Sequence, residues 1–316
     1  MTTPSRSKHP FAFLLVVGSI FLAALTVLNL SSARPSAQLY ASMRSPAASA
    51  ATQDPSEPVL RVAVAAIVSP GDTFFSYRGM AEYLADRVGM RADLVLRSTY
   101  EEVNDLVGSG QVDVAFVCSG AYAAAAAGGK MSLLVAPVVG DASVYYADVI
   151  VPRSSQARGL EDLRGARFGY VDELSNSGYL APRARLAELG LAPDSFFGES
   201  IFTHSHDKSI AAVAGGVVSA ASVDSLVLDS MRERGDAGAT QVRTIERLGP
   251  FGMPPVVVPS SLEAGLRESL LRVFLEMADT PQGQAILAPL RVDRFRVPAP
   301  SEYAELISSV EVRGGE

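Results

Sequence analysis

The chain has 316 residues, of which 48% are hydrophobic and 19% are charged, a balance typical of a globular protein with a sizeable core. Its formal net charge is −7. No basic run or basic–aromatic pattern occurs in it, which argues against nucleic acid as a partner. The single cysteine, Cys118, excludes an intrachain disulfide and a cysteine-based zinc cluster. We expect it to be a small buried hydrophobic residue.

The N-terminal part predicts export. Residues 1–10 form a short basic region, and residues 11–30 carry no charge. The uncharged stretch is longer than a usual signal-peptide core and just long enough to span a bilayer. It therefore predicts a signal peptide or a membrane anchor, and its length slightly favours the anchor. Residues 31–58 are rich in Ala, Ser and Pro and predict a linker.

From residue 59 onward, strand-like and helix-like segments alternate. The apolar run 59–68 predicts a strand covered on both faces, and 74–89 has the spacing of a helix. Thr99-Tyr100-Glu101-Glu102 is a capping box that opens the next helix, and the apolar run VDVAFV (112–117) follows it. The alternation continues as far as the segment DSLVLDSMRER. This order predicts an α/β protein with mostly parallel sheets.

Two extended segments predict crossings between lobes. They are YYADVIVPRSS (145–155) and FGMPPVVVPS (251–260). Lobe one would then comprise 59–147 plus 252–316, and lobe two 148–251. A lobe joined to another through two extended connections forms a hinge, and the cleft between them is a good ligand site.

Short polar side chains mark one junction between a strand and a helix. Ser175-Asn176-Ser177-Gly178 follows the strand RFGYV and precedes a helix. Ser and Asn are good N-caps, so these residues could simply cap the helix. Unpaired N–H groups at a helix N-terminus also bind anions, so the same residues could bind an oxyanion. The local sequence leaves both interpretations open.

Two histidines in FTHSHDK allow a metal site or an anion site. On a strand, His204 and His206 would share a face and could bind a metal, with Asp207 as a third ligand. No second His or Cys cluster supports this, so we expect no metal and no cofactor. The structural alternative is one packed and one exposed histidine. In a binding role, His206 would donate a hydrogen bond to an oxyanion at a strand–helix junction.

Four segments together resemble one protein family. They are TYEEVNDLVGSGQVDVAFV, VYYADVIV, LEDLRGARFGYVDELSNSGYLAPRARLAELGL and FFGESIFTHSHDKSIAAVAGGVVSAASVDSLVL. In order and spacing, most of residues 59–278 resembles the phosphate/phosphite/phosphonate-type periplasmic solute-binding proteins of ABC transporters. The resemblance implies a two-lobed, periplasmic-binding-protein-like fold of type II, with two crossing strands and a ligand cleft between the lobes.

The resemblance also implies a set of ligand-binding residues. The family's Ser-Thr-Ser triplet corresponds to Ser175-Asn176-Ser177, its binding histidine to His206, and its acidic residue to Asp224, which could also cap a helix. Its binding tyrosines correspond to Tyr100 and Tyr145, with Tyr122 as the less certain alternative to Tyr145. In this site Asp224 would accept a hydrogen bond from a P–OH group, which favours a singly protonated anion over sulfate.

Three positions depart from the family pattern. Asn176 replaces the usual threonine, and His204 replaces a frequent glycine, which would narrow the cleft or add a donor. Met253 replaces an aspartate near the second crossing. An acid at that position would suit an amine-bearing phosphonate, so its absence argues against an aminophosphonate.

The resemblance implies a receptor for an ABC importer. A monomeric extracytoplasmic protein would capture a phosphonate, phosphite or phosphate by hinge closure and deliver it to a permease and its ATPase. The alternative is a membrane-tethered sensor or scaffold that works with a separate signalling protein. Catalysis is not expected, because neither serine of the triplet lies in a G-x-S-x-G nucleophile elbow.

Overall fold

The structure, a computed structural model, describes residues 57–126 and 128–314. The predicted basic region, the signal peptide or anchor, and nearly all of the linker lie outside the described residues. In the part of the chain that is described, no helix is both long enough and apolar enough to cross a membrane.

Eleven strands of the described residues form two sheets. In chain order they are β1 (Val59–Val64), β2 (Arg91–Leu96), β3 (Val114–Phe116), β4 (Met131–Val138), β5 (Val144–Pro152), β6 (Arg167–Tyr170), β7 (Glu199–Phe202), β8 (Ala220–Asp224), β9 (Val242–Gly252), β10 (Val256–Pro259) and β11 (Arg294–Arg296). The first sheet has the order β11-β4-β10-β3-β1-β2 and the second β7-β6-β8-β5-β9.

The helices connect the strands of each sheet. In chain order they are α1 (Pro70–Arg87), α2 (Tyr100–Gly108), α3 (Ser119–Ala126), α4 (Ala181–Glu188), α5 (Pro193–Phe196), α6 (His206–Ala214), α7 (Ser225–Glu233), α8 (Ala237–Gln241), α9 (Ala264–Glu276), α10 (Pro281–Leu290) and α11 (Ala304–Gly314). A π-helical turn, Asn176–Leu180, precedes α4. The predicted capping box is confirmed, because Thr99 and Glu102 bond each other's backbone N–H groups at the start of α2.

The first sheet is buried on both faces, as the apolar run at β1 predicts. Alternate β1 residues belong to different clusters: Leu60 and Val62 pack with Met80 of α1, while Ala63 packs with Tyr100 of α2. This alternation follows from the two-residue repeat of a strand. Helices on both faces therefore leave the ends of the strands as the place where polar side chains can converge.

The prediction of mostly parallel sheets is wrong. Parallel pairing joins β1 to β2 and β3, and β6 to β7 and β8. The pairs made by β5, β9, β10 and β11 are antiparallel. The chain enters the second sheet along β5 and leaves it along β9, so each of these strands runs against its neighbours.

Strand β9 was not predicted, and it begins nine residues before the expected second crossing at 251. Its charged residues Arg243, Glu246 and Arg247 interrupt any apolar pattern. They are tolerated because β9 is the edge strand of the second sheet. Arg247 also forms a bidentate ion pair with the fully buried carboxylate of Asp148 on β5, at 2.7 and 2.8 Å. This ion pair joins β9 to β5, the strand along which the chain enters the second sheet.

Candidate functional site

The segment Ser175–Gly178 combines a helix cap with a close backbone approach. The Ser175 Oγ accepts a hydrogen bond from the Gly178 N–H at 3.0 Å, so the capping interpretation is correct for this serine. A Cβ at Gly178 would lie 2.5 Å from the Val171 side chain, which is too close for any residue but glycine. The tight turn leaves Asn176 and Ser177 on a π-helical turn that contacts α3, β5 and β8.

The start of α3, the helix that follows β3 of the first sheet, packs directly against this turn. The Asn176 N–H points to the Cys118 Sγ at 3.4 Å. A Cβ at Gly120 would lie 2.4 Å from the Leu174 carbonyl oxygen. Cys118 is buried, as predicted, and desolvation raises the pKa of its thiol. The two lobes therefore contact each other at this point.

The Tyr145 hydroxyl links Asn176 of the π-helical turn to Ser119 at the start of α3. The Asn176 Nδ2 donates to the Tyr145 Oη at 3.1 Å, and the same oxygen lies 2.7 Å from the Ser119 Oγ. Desolvation raises the pKa of Tyr145 well above its usual range, so the hydroxyl keeps its proton. Ser119 was missed by the sequence analysis. Its signal was available, because it starts a helix directly after β3, as the triplet does after β6.

Two predicted site residues have buried hydroxyls without a partner among the described residues. They are Tyr100 and Ser177, whose side chains are almost fully buried. The Tyr100 N–H donates to an Asp172 oxygen at 3.2 Å, and the Ser177 carbonyl oxygen accepts from the Ser222 Oγ at 2.6 Å. Their backbones are thus held in place while their hydroxyls are unpaired. Buried hydroxyls are nearly always hydrogen-bonded, so each of these two is available to a further polar partner.

The imidazole of His206 is held as a neutral hydrogen-bond donor. The Asp224 N–H donates to the His206 Nδ1 at 3.0 Å, so Nε2 carries the ring hydrogen. Burial lowers the pKa of His206 to about 3. The ring therefore stays uncharged at neutral pH and offers an N–H to its surroundings.

Asp224 fills one of the two roles that the sequence left open, that of helix cap. Its Oδ1 accepts from the Leu226 N–H at 2.7 Å and so caps α7. Burial raises the pKa of its carboxyl to about 7, against the opposing effect of its backbone hydrogen bonds. At neutral pH this group can therefore donate or accept a proton. We call Tyr100, Ser119, Tyr145, Asn176, Ser177, His206 and Asp224 the polar cluster.

The metal interpretation of the H-x-H motif does not fit the geometry. His206 Nδ1 is occupied by the Asp224 N–H, and the Asp207 carboxylate accepts from the Ser69 N–H at 3.0 Å. His204 is exposed, with its ring stacked on Phe202 at 6.5 Å. His204 was expected either to narrow the cleft or to add a donor, and the exposed ring adds no donor to the polar cluster. Its φ of +65° lies in the region that favours glycine.

Tyr122 and Met253 lie behind the polar cluster and not in it. The Tyr122 ring packs edge-on against Tyr303 at 5.1 Å, and the Tyr303 hydroxyl donates to the Met253 carbonyl oxygen at 2.7 Å. The Met253 side chain is fully buried and packs with Tyr145 and Ala136. Of the two alternative tyrosines, the structure brings Tyr145 into the cluster. The Met253 side chain packs against the ring of Tyr145. The residue type at this position therefore does not indicate whether the ligand carries an amine.

Comparison with known proteins identifies the family. Residues 62–303 match the family described as "ABC transporter, phosphonate, periplasmic substrate-binding protein". The chain belongs to this family. It is also 30% identical, over 181 residues, to the phosphate-import protein PhnD of Mycolicibacterium smegmatis. That match covers 54% of this chain and 56% of the relative, so the chain spans little more than half the length of this curated relative.

Solved structures show the same fold. A binding protein component of an ABC phosphonate transporter from Pseudomonas aeruginosa has a TM-score of 0.72 at 18% identity, covering 81% of this chain and 95% of that one. PhnD1 from Prochlorococcus marinus in complex with methylphosphonate has a TM-score of 0.74 at 17% identity, covering 82% and 99%. The predicted family and the predicted two-lobed fold are thus confirmed.

Proposed function

We propose that the chain captures a small phosphorus oxyanion (a phosphonate, phosphite or phosphate) between its lobes and delivers it to an ABC permease and its ATPase. The observation that carries this proposal is the pair of buried, unpartnered hydroxyls of Tyr100 and Ser177. Burial raises the pKa of Tyr100 well above its usual range, and the charges of Asp172 and Asp224 add a smaller effect, so the Tyr100 hydroxyl lies near the Asp224 carboxyl. These groups would therefore contact the same ligand.

The polar cluster can bind an oxyanion even though it contains no lysine or arginine. Tyr100, Ser177 and Tyr145 offer hydroxyls, and His206 offers its Nε2–H. Hydrogen bonds from such neutral donors to a charged oxygen are charge-assisted, so each is stronger than a bond between neutral groups. Asp224 would share one proton with the ligand, either as the acceptor from a P–OH or as the donor to a fully ionised oxygen. Sulfate has no proton to give to Asp224, and it is a much weaker base than a doubly ionised phosphonate or phosphate, so it would share the carboxyl proton poorly and bind less well.

Binding by hinge closure is supported by contacts between the lobes. The His206 N–H donates to the Ile67 carbonyl oxygen at 3.0 Å, and the Ser69 side chain bonds the Asp207 carboxylate. Ile67 and Ser69 follow β1 of the first sheet, while α6 leads into β8 of the second. Opening the cleft would break these bonds, so an anion that draws the lobes together would restore them.

The proposed receptor is exported, acts as a monomer and does not turn its ligand over. The family is periplasmic, and we propose that residues 11–30 direct export as a signal peptide or retain the chain as an anchor. The receptor would act as a monomer. We expect no turnover, because the His206 Nδ1 is already bonded to a backbone N–H and so cannot act as the base for a serine.

Calorimetric titration tests the proposal. The full-length chain, in detergent if residues 11–30 remain attached, is titrated with methylphosphonate, phosphite, phosphate and sulfate. Ser177→Ala and Tyr100→Phe should each weaken binding about 10- to 100-fold, the usual range for a hydrogen bond to a charged group. Neither should lower stability, since each removes an unpaired buried hydroxyl. Tyr83→Phe is the matched control, because its hydroxyl contacts Thr280 at 3.2 Å, away from the cluster.

Two results would contradict the proposal. One is the absence of binding for every phosphorus oxyanion in the series. The other is equal affinity for sulfate, which would mean that the carboxyl of Asp224 does not share a proton with the ligand.

A further inference from the structure

Two cavities border the polar cluster, and they differ in chemistry. One, of about 590 Å³, adjoins Asn176 and is lined by charged side chains that already pair, such as Arg185 with Glu246 at 2.7 Å. The other, of about 500 Å³, adjoins Asp224 and lies between α7 and the ends of β1, β3 and β4. Its volume falls in the range of pockets that hold small organic ligands. The volume of this cavity is far larger than the methyl substituent of methylphosphonate would fill.

The walls of the second cavity are mainly apolar. Phe116 is buried there, and four aliphatic side chains and one aromatic ring around it remain only half-buried: Ile67, Val68, Leu226, Val227 and Tyr77. Half-buried apolar side chains gathered around one space gain free energy when an apolar group covers them. The cavity therefore favours a hydrocarbon occupant over water.

The acidic side chains at the rim of this cavity are already paired. Glu233 bonds Arg291 at 2.6 Å, and Asp229 lies 3.7 Å from Arg232. Asp224 is engaged by α7 through the Leu226 N–H. These paired carboxylates would therefore give a ligand ammonium group little stabilisation to offset the loss of its hydration.

Asp224 joins the cavity to the polar cluster. Asp224 lines the cavity, and its backbone N–H donates to the His206 ring. Tyr77 also lines the cavity and lies near Asp224: desolvation, and to a smaller extent the charge of Asp224, raise the pKa of Tyr77 to about 12. An anion whose oxygens contact the cluster beside Asp224 can therefore place its remaining substituent in this cavity.

We propose that the ligand is an organophosphonate whose substituent is an apolar alkyl or aryl group larger than methyl, seated in this cavity. The inference rests on the proposed function, because the phosphonate oxygens must be held by the polar cluster. Inorganic phosphate and phosphite would leave the cavity unfilled and so bind less tightly. The half-buried aliphatic wall formed by Ile67, Val68, Leu226 and Val227 would determine this selectivity.

A homologous series tests the proposal by titration calorimetry on the full-length chain. The series is phosphate, methylphosphonate, propylphosphonate, pentylphosphonate, benzylphosphonate and 2-aminoethylphosphonate. Each methylene group that enters an apolar site can strengthen binding up to about fourfold. We expect pentyl- and benzylphosphonate to bind at least about tenfold more tightly than methylphosphonate. Propylphosphonate should bind more tightly than 2-aminoethylphosphonate, which has nearly the same size.

A cavity-filling variant tests the binding of the substituent separately from the binding of the oxyanion. Val227→Phe places a ring in the cavity without changing the polar cluster. It should weaken pentylphosphonate binding at least tenfold while methylphosphonate binding stays within about twofold of wild type. Val217→Phe is the matched control, because Val217 is 50% exposed and does not line the cavity. This control should bind both ligands as wild type does.

The outcomes distinguish the two proposals. If phosphate and methylphosphonate bind but no larger member gains affinity, the inference about the cavity is wrong and the proposed function stands. The same holds if Val227→Phe weakens methylphosphonate and pentylphosphonate equally. If no member of the series binds, the proposed function fails, and the inference fails with it.

Discussion

Replacing Asp224 by Asn should make the ligand-free protein more stable at high pH. The carboxyl is 3% exposed, and no cationic side chain pairs with it among the described residues. Burial, with a smaller contribution from the charge of the buried Asp148, raises its pKa from an ordinary 3.8 to about 7. The folded protein therefore binds this proton more tightly than the unfolded chain does.

The sign and size of the effect follow from proton linkage. Between pH 3.8 and pH 7 the folded state holds more protons at Asp224, so the free energy of unfolding falls as the pH rises through this window. Above about pH 7 the contribution is constant. A tenfold change in a proton-binding constant is about 1.4 kcal/mol, so the full effect is about 4 kcal/mol, of which about 2 to 3 kcal/mol develops between pH 5 and pH 8. Asn carries no charge and can still accept from the Leu226 N–H.

The assay is urea unfolding of wild type and Asp224→Asn at pH 5, 6.5 and 8, with the difference between the two proteins as the readout. The stability advantage of the variant should grow with pH. Asp86→Asn, at an exposed position of α1, is the control for the substitution itself. If the advantage of Asp224→Asn is the same at pH 5 and pH 8, Asp224 is ionised across this range and the reasoning about its shared proton is refuted.

Three further predictions concern other parts of the site and the hinge. Gly178→Ala should lower stability by more than about 1 kcal/mol and weaken oxyanion binding, because its Cβ would lie 2.5 Å from Val171; a thermal melt showing no change would contradict this. Arg247→Met should lower the free energy of unfolding by about 2 to 3 kcal/mol, because it leaves the buried carboxylate of Asp148 unpaired, and denaturant titration measures this directly. Nitrogen NMR of His206 should show a neutral ring with hydrogen on Nε2 from pH 5 to pH 8, since burial lowers its pKa to about 3; a titration near 6.5 would refute the assigned tautomer.

Features that depend on nearby residues could be predicted from the sequence. The capping box from Thr99 to Glu102 and the cap that Ser175 makes to Gly178 each span three residues, so the side chain and its partner appear together in the sequence. The apolar run at β1 likewise predicts a strand covered on both faces. Such contacts form wherever the local backbone forms. The family was indicated by the resemblance of four sequence segments, which implied the two-lobed fold.

Features that depend on distant partners could not be predicted in the same way. The sequence allowed either Tyr122 or Tyr145 in the site, and the choice follows from the hydrogen bond between Tyr145 and Asn176, which are 31 residues apart. The charged sequence of β9 becomes a strand because β5 lies beside it.

The amino-acid sequence by itself determined which residues end the strands and begin the helices, because capping and hydrophobic periodicity act over a few neighbouring residues. Only the tertiary structure decided which of those ends meet. It left the hydroxyls of Tyr100 and Ser177 without partners and gave Asp224 a pKa of about 7, because burial and the loss of water depend on the whole of the surrounding packing.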